Sequence, residues 1–392
     1  MASARFGVQG SESQVESSVV KVYSADHEFE LQPITFVACE FSGAEPRGTS
    51  PPEAEAPECV ILGARGSYNS PLDPSHPVGK QRNESQMDIQ AVTTETLAGS
   101  VIAVPPLARN PDLSLNRDEN SKLVRHLESG GVSTILYGGN AVLYHTAPSE
   151  FDSLLGMLAE LASEDTLVIP SVGPAFGTMM DQAAILREHS FPTAMVLPTR
   201  DVCTSDGVAS AVRRFVEAAE LPAVLYIKHD GFIGVDAVEK LVRDGLISWI
   251  KYAIVRDDTS DDPYLRELTD AIGTSQVVSG IGEQPAIVHL TDFGLTGFTS
   301  GCVCIAPSLS MEMLRAIQSR DLAAAEAIRL TFRPLEDLRN SIHPVRVLHA
   351  AVTGAGVANC GPILPPLSDV AQLEYVKIER AANELLLRCA QV

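Results

Sequence analysis

The chain has 392 residues, enough for one large α/β barrel with an appendage or for two ordinary domains. Hydrophobic residues make up 45% of it and charged ones 20%, and no uninterrupted apolar run of about 18 residues occurs, so the sequence offers no candidate membrane-spanning helix. With 29 basic against 50 acidic side chains the formal charge is -21, which argues against nucleic acid or an anionic membrane surface as a partner; any anionic ligand has to be held by local cations and backbone N–H groups.

Residues 1–94 read as an N-terminal extension, mostly disordered or with a short β element. They hold "SGAEPRGTSPPEAEAPEC" and "GSYNSPLDPSHPVGKQRNESQ", stretches too poor in apolar side chains to offset the entropy of ordering, around a possible strand or two in "FELQPITFVACEF". The opening "MASARFGVQGSESQVESS" has neither the basic and apolar regions of a secretory signal nor an Arg-rich transit composition, so a cytoplasmic protein is expected. The internal Met87 stands just before the periodic region.

From residue 95 to 308, apolar β-rich runs alternate with amphipathic helical patterns, the signature of βαβ units around a parallel sheet. The strand candidates are "SVIAVPP" (100–106), "VSTILYG" (132–138), "TLVIPSVG" (166–173), "TAMVLP" (193–198), "AVLYIK" (223–228), "SWIKYAIV" (248–255), "QVVSGIG" (276–282) and "TGFTSG" (296–301). Eight strand-helix repeats predict an α/β chain of the (β/α)8 TIM-barrel class rather than an open doubly wound sheet, which would carry a G-x-G-x-x-G loop after its first strand. Three further helical segments in 309–392 predict a C-terminal helical cap. The seven cysteines are scattered and odd in number, unlike a disulfide framework, and the C-x-C of Cys302 and Cys304 has no second ligand pair at zinc spacing.

Chemistry in such a barrel sits at the C-terminal ends of the strands, on inward side chains. Alternation along "ISWIKYAIV" puts Trp249, Lys251, Ala253 and Val255 on one face; if that face points inward, Lys251 reaches the barrel mouth. Burial and the neighbouring Lys228 would both favour its neutral form, and a neutral amine attacks carbonyl carbon. Lys228 ends the preceding strand in "AVLYIKHDG", on the same face as Tyr226. Each of the three residues also has an ordinary structural reading: a buried ion pair for Lys251, a strand-end lysine for Lys228 and a core aromatic for Tyr226.

Together these features resemble the dihydrodipicolinate synthase / N-acetylneuraminate lyase family of class I, Schiff-base aldolases and dehydratases. The resemblance spans about residues 97–385. "WIKYA" is similar to the family's Gly-Ile-Lys strand and "VLYI" to the strand ending in its proton-shuttling tyrosine, while "GFTSG", "APSL" and "GPILPPLS" match the eighth-strand end and the linker into the last helix. It implies Lys251 as the Schiff-base lysine, Tyr226 as general acid/base, a small 2-oxo acid as substrate, no cofactor and no metal, and a homo-oligomer, tetramer or dimer.

Departures from the family pattern are equally specific. The Gly-Thr-Thr-Gly-Glu that holds the substrate carboxylate is replaced by "LYGGNAVLYH", which leaves Gly138, Gly139 and Asn140 to bind it through backbone N–H groups and an amide. "LPTRDVCTSDG" lacks the relay tyrosine, leaving water, Tyr144 or His145 for proton transfer, or no relay at all. The arginine of dihydrodipicolinate synthases falls near Gly231, so Lys228 or Arg200 would supply a cation for a different acidic substrate. Ser279 and Gly280, in "SGIGEQ", are expected to line the pocket. Two other functions stay open: a barrel that keeps the lysine yet only binds or regulates, and a metal-dependent lyase using the carboxylates of "RDDTSDD" (256–262).

Overall fold

A computed structural model describes residues 87–390, together with two short strands, β1 (Val22–Ser24) and β2 (His27–Phe29), which pair antiparallel in a separate N-terminal unit. The expected disorder elsewhere in the extension lies outside the described residues.

The second unit is a closed parallel ring. Its strand segments are β3 (Ile102–Ala103), β4 (Thr134–Leu136), β5 (Leu167–Ile169), β6 (Ser171–Val172), β7 (Ala194–Val196), β8 (Ala223–Ile227), β9 (Ile247–Tyr252), β10 (Val277–Ser279) and β11 (Gly297–Ser300). Their order is β5-β4-β3-β11-β10-β9-β8-β7-β6. Nine segments fill eight barrel positions, because β5 and β6 are one strand broken at Pro170. Proline has no N–H to donate, and its carbonyl accepts from the Met195 N–H at 2.8 Å, so the strand hands over from β4 on one side to β7 on the other at that residue. The ring is a (β/α)8 barrel with an added C-terminal helical layer. Residues 87–93 already belong to it: Met87 is buried and Asp88 bridges to Leu167.

Helices wrap the ring: α1 (Thr94–Gly99), α2 (Arg117–Ser129), α3 (Pro148–Leu161), α4 (Phe176–Leu186), α5 (Ser205–Ala219), α6 (Val235–Arg243), α7 (Pro263–Ile272) and α8 (Glu283–Thr291), then α9 (Pro307–Gln318), α10 (Leu322–Ser341), α11 (Pro344–Gly354) and α12 (Gln372–Cys389). Their starts are written in the sequence. Asn116, Thr204, Asp262 and Asp321 each accept a backbone N–H three residues on, satisfying one of the donors a helix leaves free. No described helix is long and apolar enough to cross a membrane.

Strand β9 shows how the ring orients its side chains. Tyr252 points outward, where its hydroxyl donates to Asp262, the N-cap of α7, and Arg256 ties Asp262 to Asp230. Lys251 and Trp249 therefore take the inward face. Trp249 is fully buried there and fills the ring interior, while Lys251, one pleat higher, is 4% exposed at the mouth.

Candidate active site

A cavity of about 360 Å³ opens at the C-terminal end of the strands, and Lys251, Tyr226 and Lys228 all line it. Lys251 is the register partner of Tyr226 across β8 and β9, and its Nζ lies 4.6 Å from the centroid of the Tyr226 ring. Burial holds the Lys251 pKa down to about 7, and the positive charges of Lys228 and Arg339 push the same way. A substantial part of this amine is thus unprotonated at neutral pH. Gly280 makes room for it: a Cβ there would lie 2.9 Å from Lys251 Cγ and 2.7 Å from the Tyr252 carbonyl, so any side chain at 280 would collide with the lysine stem and the strand.

Around the amine the groups divide by role. Burial raises the Tyr226 hydroxyl well above its ordinary pKa, so it stays protonated as an acid. Tyr144, from the turn after β4, lines the same cavity and is pushed up to about 12 by burial; its ionised form would raise Tyr226 further, which places the two phenols in electrostatic reach. Lys228 is exposed at the mouth, 5.9 Å from the Tyr226 ring, and the surrounding protein and Arg200 keep it below its usual value. Among the described residues that form the wall there is no Asp or Glu.

Not every residue singled out from sequence meets here. Gly139, Asn140 and Gly280 line the cavity. Gly138 does not; the space over its Cα is filled by Met195 and Ser171. Ser279 is also turned away, because it is in register with the outward Tyr252, whereas Val278 is in register with Lys251; its hydroxyl meets His289 Nδ1 at 2.8 Å in the helical layer. The Asn140 side-chain amide is partly engaged, donating to the Val104 carbonyl at 2.7 Å. Of the carboxylates in 256–262, Asp262 caps α7 and Asp258 closes its own turn with Ser260. Cys302 and Cys304 are buried.

Residues that the strand pattern did not reveal come from the C-terminal layer, chiefly Arg339 on α10 and His343 just before α11, both in the cavity wall. Beneath Arg339 lies a buried carboxyl pair. Glu283 accepts from Ser300 Oγ at 2.8 Å and Ser310 Oγ at 2.7 Å, and Glu336 accepts the Glu283 N–H at 3.0 Å. Burial, together with the Glu283 charge, raises Glu336 far above the carboxylate range, so it is held neutral while it docks α10 on the strand ends. The oxygen of Glu336 leaves no space for a Cβ at Gly282, whose φ of 101° also demands glycine.

Comparison with known proteins agrees with this geometry. No family model matches the chain. It is 23% identical over 286 residues to the probable 5-dehydro-4-deoxyglucarate dehydratase 1 of Streptomyces avermitilis, covering 70% of this chain and 88% of that protein. It is also 23% identical over 288 residues to the 4-hydroxy-tetrahydrodipicolinate synthase of Corynebacterium diphtheriae, covering 73% and 93%. These relatives support the resemblance to the dihydrodipicolinate synthase / N-acetylneuraminate lyase family. Among solved members, dihydrodipicolinate synthase from Bacillus clausii superposes with a TM-score of 0.65 at 24% identity, over 75% of this chain and 98% of that one. The Agrobacterium tumefaciens synthase gives 0.66 at 16% identity, over 74% and 99%. The family fold thus occupies the barrel and its helical cap.

Proposed function

We propose that the protein is a Schiff-base-forming lyase that acts on a 2-oxo acid, and that among such reactions dehydration of an acidic deoxy sugar acid suits the site best. The observation that carries this reading is the Lys251 amine, buried at the cavity floor, held near neutrality and set against the Tyr226 ring. Two of the curated relatives carry the name probable 5-dehydro-4-deoxyglucarate dehydratase, which favours loss of water over the aldol direction. Cleavage or condensation with pyruvate would use the same imine and is the second reading.

Neutral Lys251 adds through Nζ to the ketone carbon, and the carbonyl oxygen takes a proton to give a carbinolamine. That hydroxyl leaves as water with a proton from Tyr226, which forms the iminium ion. Its positive nitrogen draws electrons from the adjacent carbon, which loses a proton to give an enamine; the enamine electron pair then expels the hydroxyl one carbon further on as a second water. Hydrolysis of the imine returns Lys251 and the product. Tyr226 supplies and recovers protons, with Tyr144 as its neighbour in the wall. Gly139, Gly280 and the Asn140 amide border the substrate's first carbons, while Lys228 at the mouth attracts a second acidic group. The reading includes a cytoplasmic location, no cofactor, and a homo-oligomer, tetramer or dimer.

Borohydride reduction in the presence of pyruvate tests it. A mass increment should appear on Lys251, vanish in Lys251→Ala and persist in Lys228→Ala. No increment in the native protein, or one that stays in Lys251→Ala, rejects the mechanism.

A further inference from the structure

Among the described residues Arg339 is a half-buried cation with no carboxylate in ion-pair contact, although the charges of Glu336 and Glu283 reach it and help raise its pKa. Its guanidinium stands in the cavity wall, and no described Asp or Glu oxygen comes within 4.0 Å of it. Its protein contacts are weak: Nε donates to the Pro344 carbonyl at 3.3 Å and Nη1 faces Cys302 Sγ at 3.9 Å, while Nη2 meets no protein acceptor. A guanidinium partly withdrawn from water and without an ion-pair contact gains from an anion. Glu336, one turn earlier on α10, makes no ion pair with it, and burial favours its protonated form.

Nη2 lies beside the Asn140 amide in the cavity wall. A Cβ on Gly301 would lie 2.8 Å from Arg339 Nη2 and 3.0 Å from Asn140 Nδ2, although the Gly301 backbone, with φ of -88°, would accept any residue. The missing side chain therefore lets two donor nitrogens converge on the Gly301 backbone. Both residues line the cavity that holds Lys251, and the arginine charge is near enough to help depress the amine's pKa. The threonine hydroxyls of the family pattern are absent from the second-strand turn, where the Asn140 amide stands with Tyr144 in the cavity wall.

Resting on the Schiff-base reading, we propose that Arg339 binds the carboxylate adjacent to the substrate ketone, with Asn140 Nδ2 as second donor over Gly301. The anion contact has thus moved from strand-end hydroxyls to a helix of the C-terminal layer. Planarity matters to this role, because a guanidinium presents paired N–H groups to a carboxylate where an ammonium offers a point charge.

Borohydride trapping with two ketones separates this role from the rest of the mechanism. Pyruvate carries the carboxylate; methyl pyruvate has the same ketone without the charge. In Arg339→Met the pyruvate concentration for half-maximal trapping should rise about 10- to 100-fold, as loss of a charged hydrogen-bonded contact implies. The methyl pyruvate concentration should change less than about threefold on the same scale. Arg339→Lys should fall between for pyruvate. Equal shifts for both ketones mean that Arg339 only positions Lys251 or the fold and overturn the proposal, as does an unchanged pyruvate value. Failure of the native protein to trap either ketone instead rejects the Schiff-base reading itself, and the carboxylate role with it.

Discussion

The floor of the cavity and its far wall are built by different means. The floor comes from β8, β9 and the turn at Gly280, where strand register alone sets Lys251 against Tyr226. The wall comes from α10 and the start of α11, segments that follow the ring in sequence and dock on it through the buried Glu283 and Glu336 carboxyls. Hydrogen bonds to neighbouring strands fix the first region almost completely; the second depends on helix docking. On the proposed mechanism, reactive chemistry would reside in the rigid part, and recognition of ligand charge in the part that a few side-chain contacts can re-aim.

The largest test of that division is Tyr226→Phe. Turnover should fall about 10²- to 10⁴-fold, the usual worth of a positioned acid/base, while pyruvate still forms a reducible adduct on Lys251. Turnover measured beside adduct mass decides the matter, and near-native turnover removes Tyr226 from the chemistry. Next in size is a pair of glycine substitutions, one in each region. Gly280→Ala drives a methyl into the lysine stem and the Tyr252 carbonyl, so trapping of pyruvate and methyl pyruvate should fall together, with about 1–3 kcal/mol lost in thermal or denaturant unfolding. Gly301→Ala crowds only the ends of the Arg339 and Asn140 side chains, so it should weaken pyruvate roughly tenfold and spare the ester. If both variants act alike on the two ketones, the regions are not separable.

The smallest effect is a shift with pH. Lys251 attacks as the free base, so the trapping rate should climb as pH rises through about 7 and level off above it. Lys228→Ala removes a positive neighbour, which makes protonation of Lys251 easier and moves the midpoint upward. The variant should therefore be up to a few-fold slower near pH 7 and equal to the native protein at high pH. A midpoint that stays in place would show that burial alone holds the amine down.

Local periodicity made much of the first region legible. Apolar runs at regular spacing gave the ring, and the two-residue repeat of β9 separated Lys251 and Trp249 from Tyr252. The same rule exposes the error at Ser279: one step along a strand reverses the side chain, and β10 pairs Val278, not Ser279, with Lys251. The break at Pro170 was hidden inside a continuous apolar run, since periodicity does not report which neighbour a strand pairs with. Arg339 was illegible for a different reason. It stands in "TFRPLEDLRNS" beside Arg333, whose side chain pairs with Asp337 and is largely solvated, and nothing in the helical repeat tells the two arginines apart. Only the docking of α10 on the strand ends does so.

A wall lined by cations in a molecule of net charge -21 makes approach and arrival obey opposite rules. At low ionic strength the surrounding field repels an incoming dianion, whereas dissolved salt screens that repulsion over the roughly 8–10 Å of a Debye length. The half-buried guanidinium in the cavity wall is screened less by the same ions. Salt should then speed encounter more than it weakens the bound complex, a dependence inverse to that of proteins that steer anions with a basic exterior.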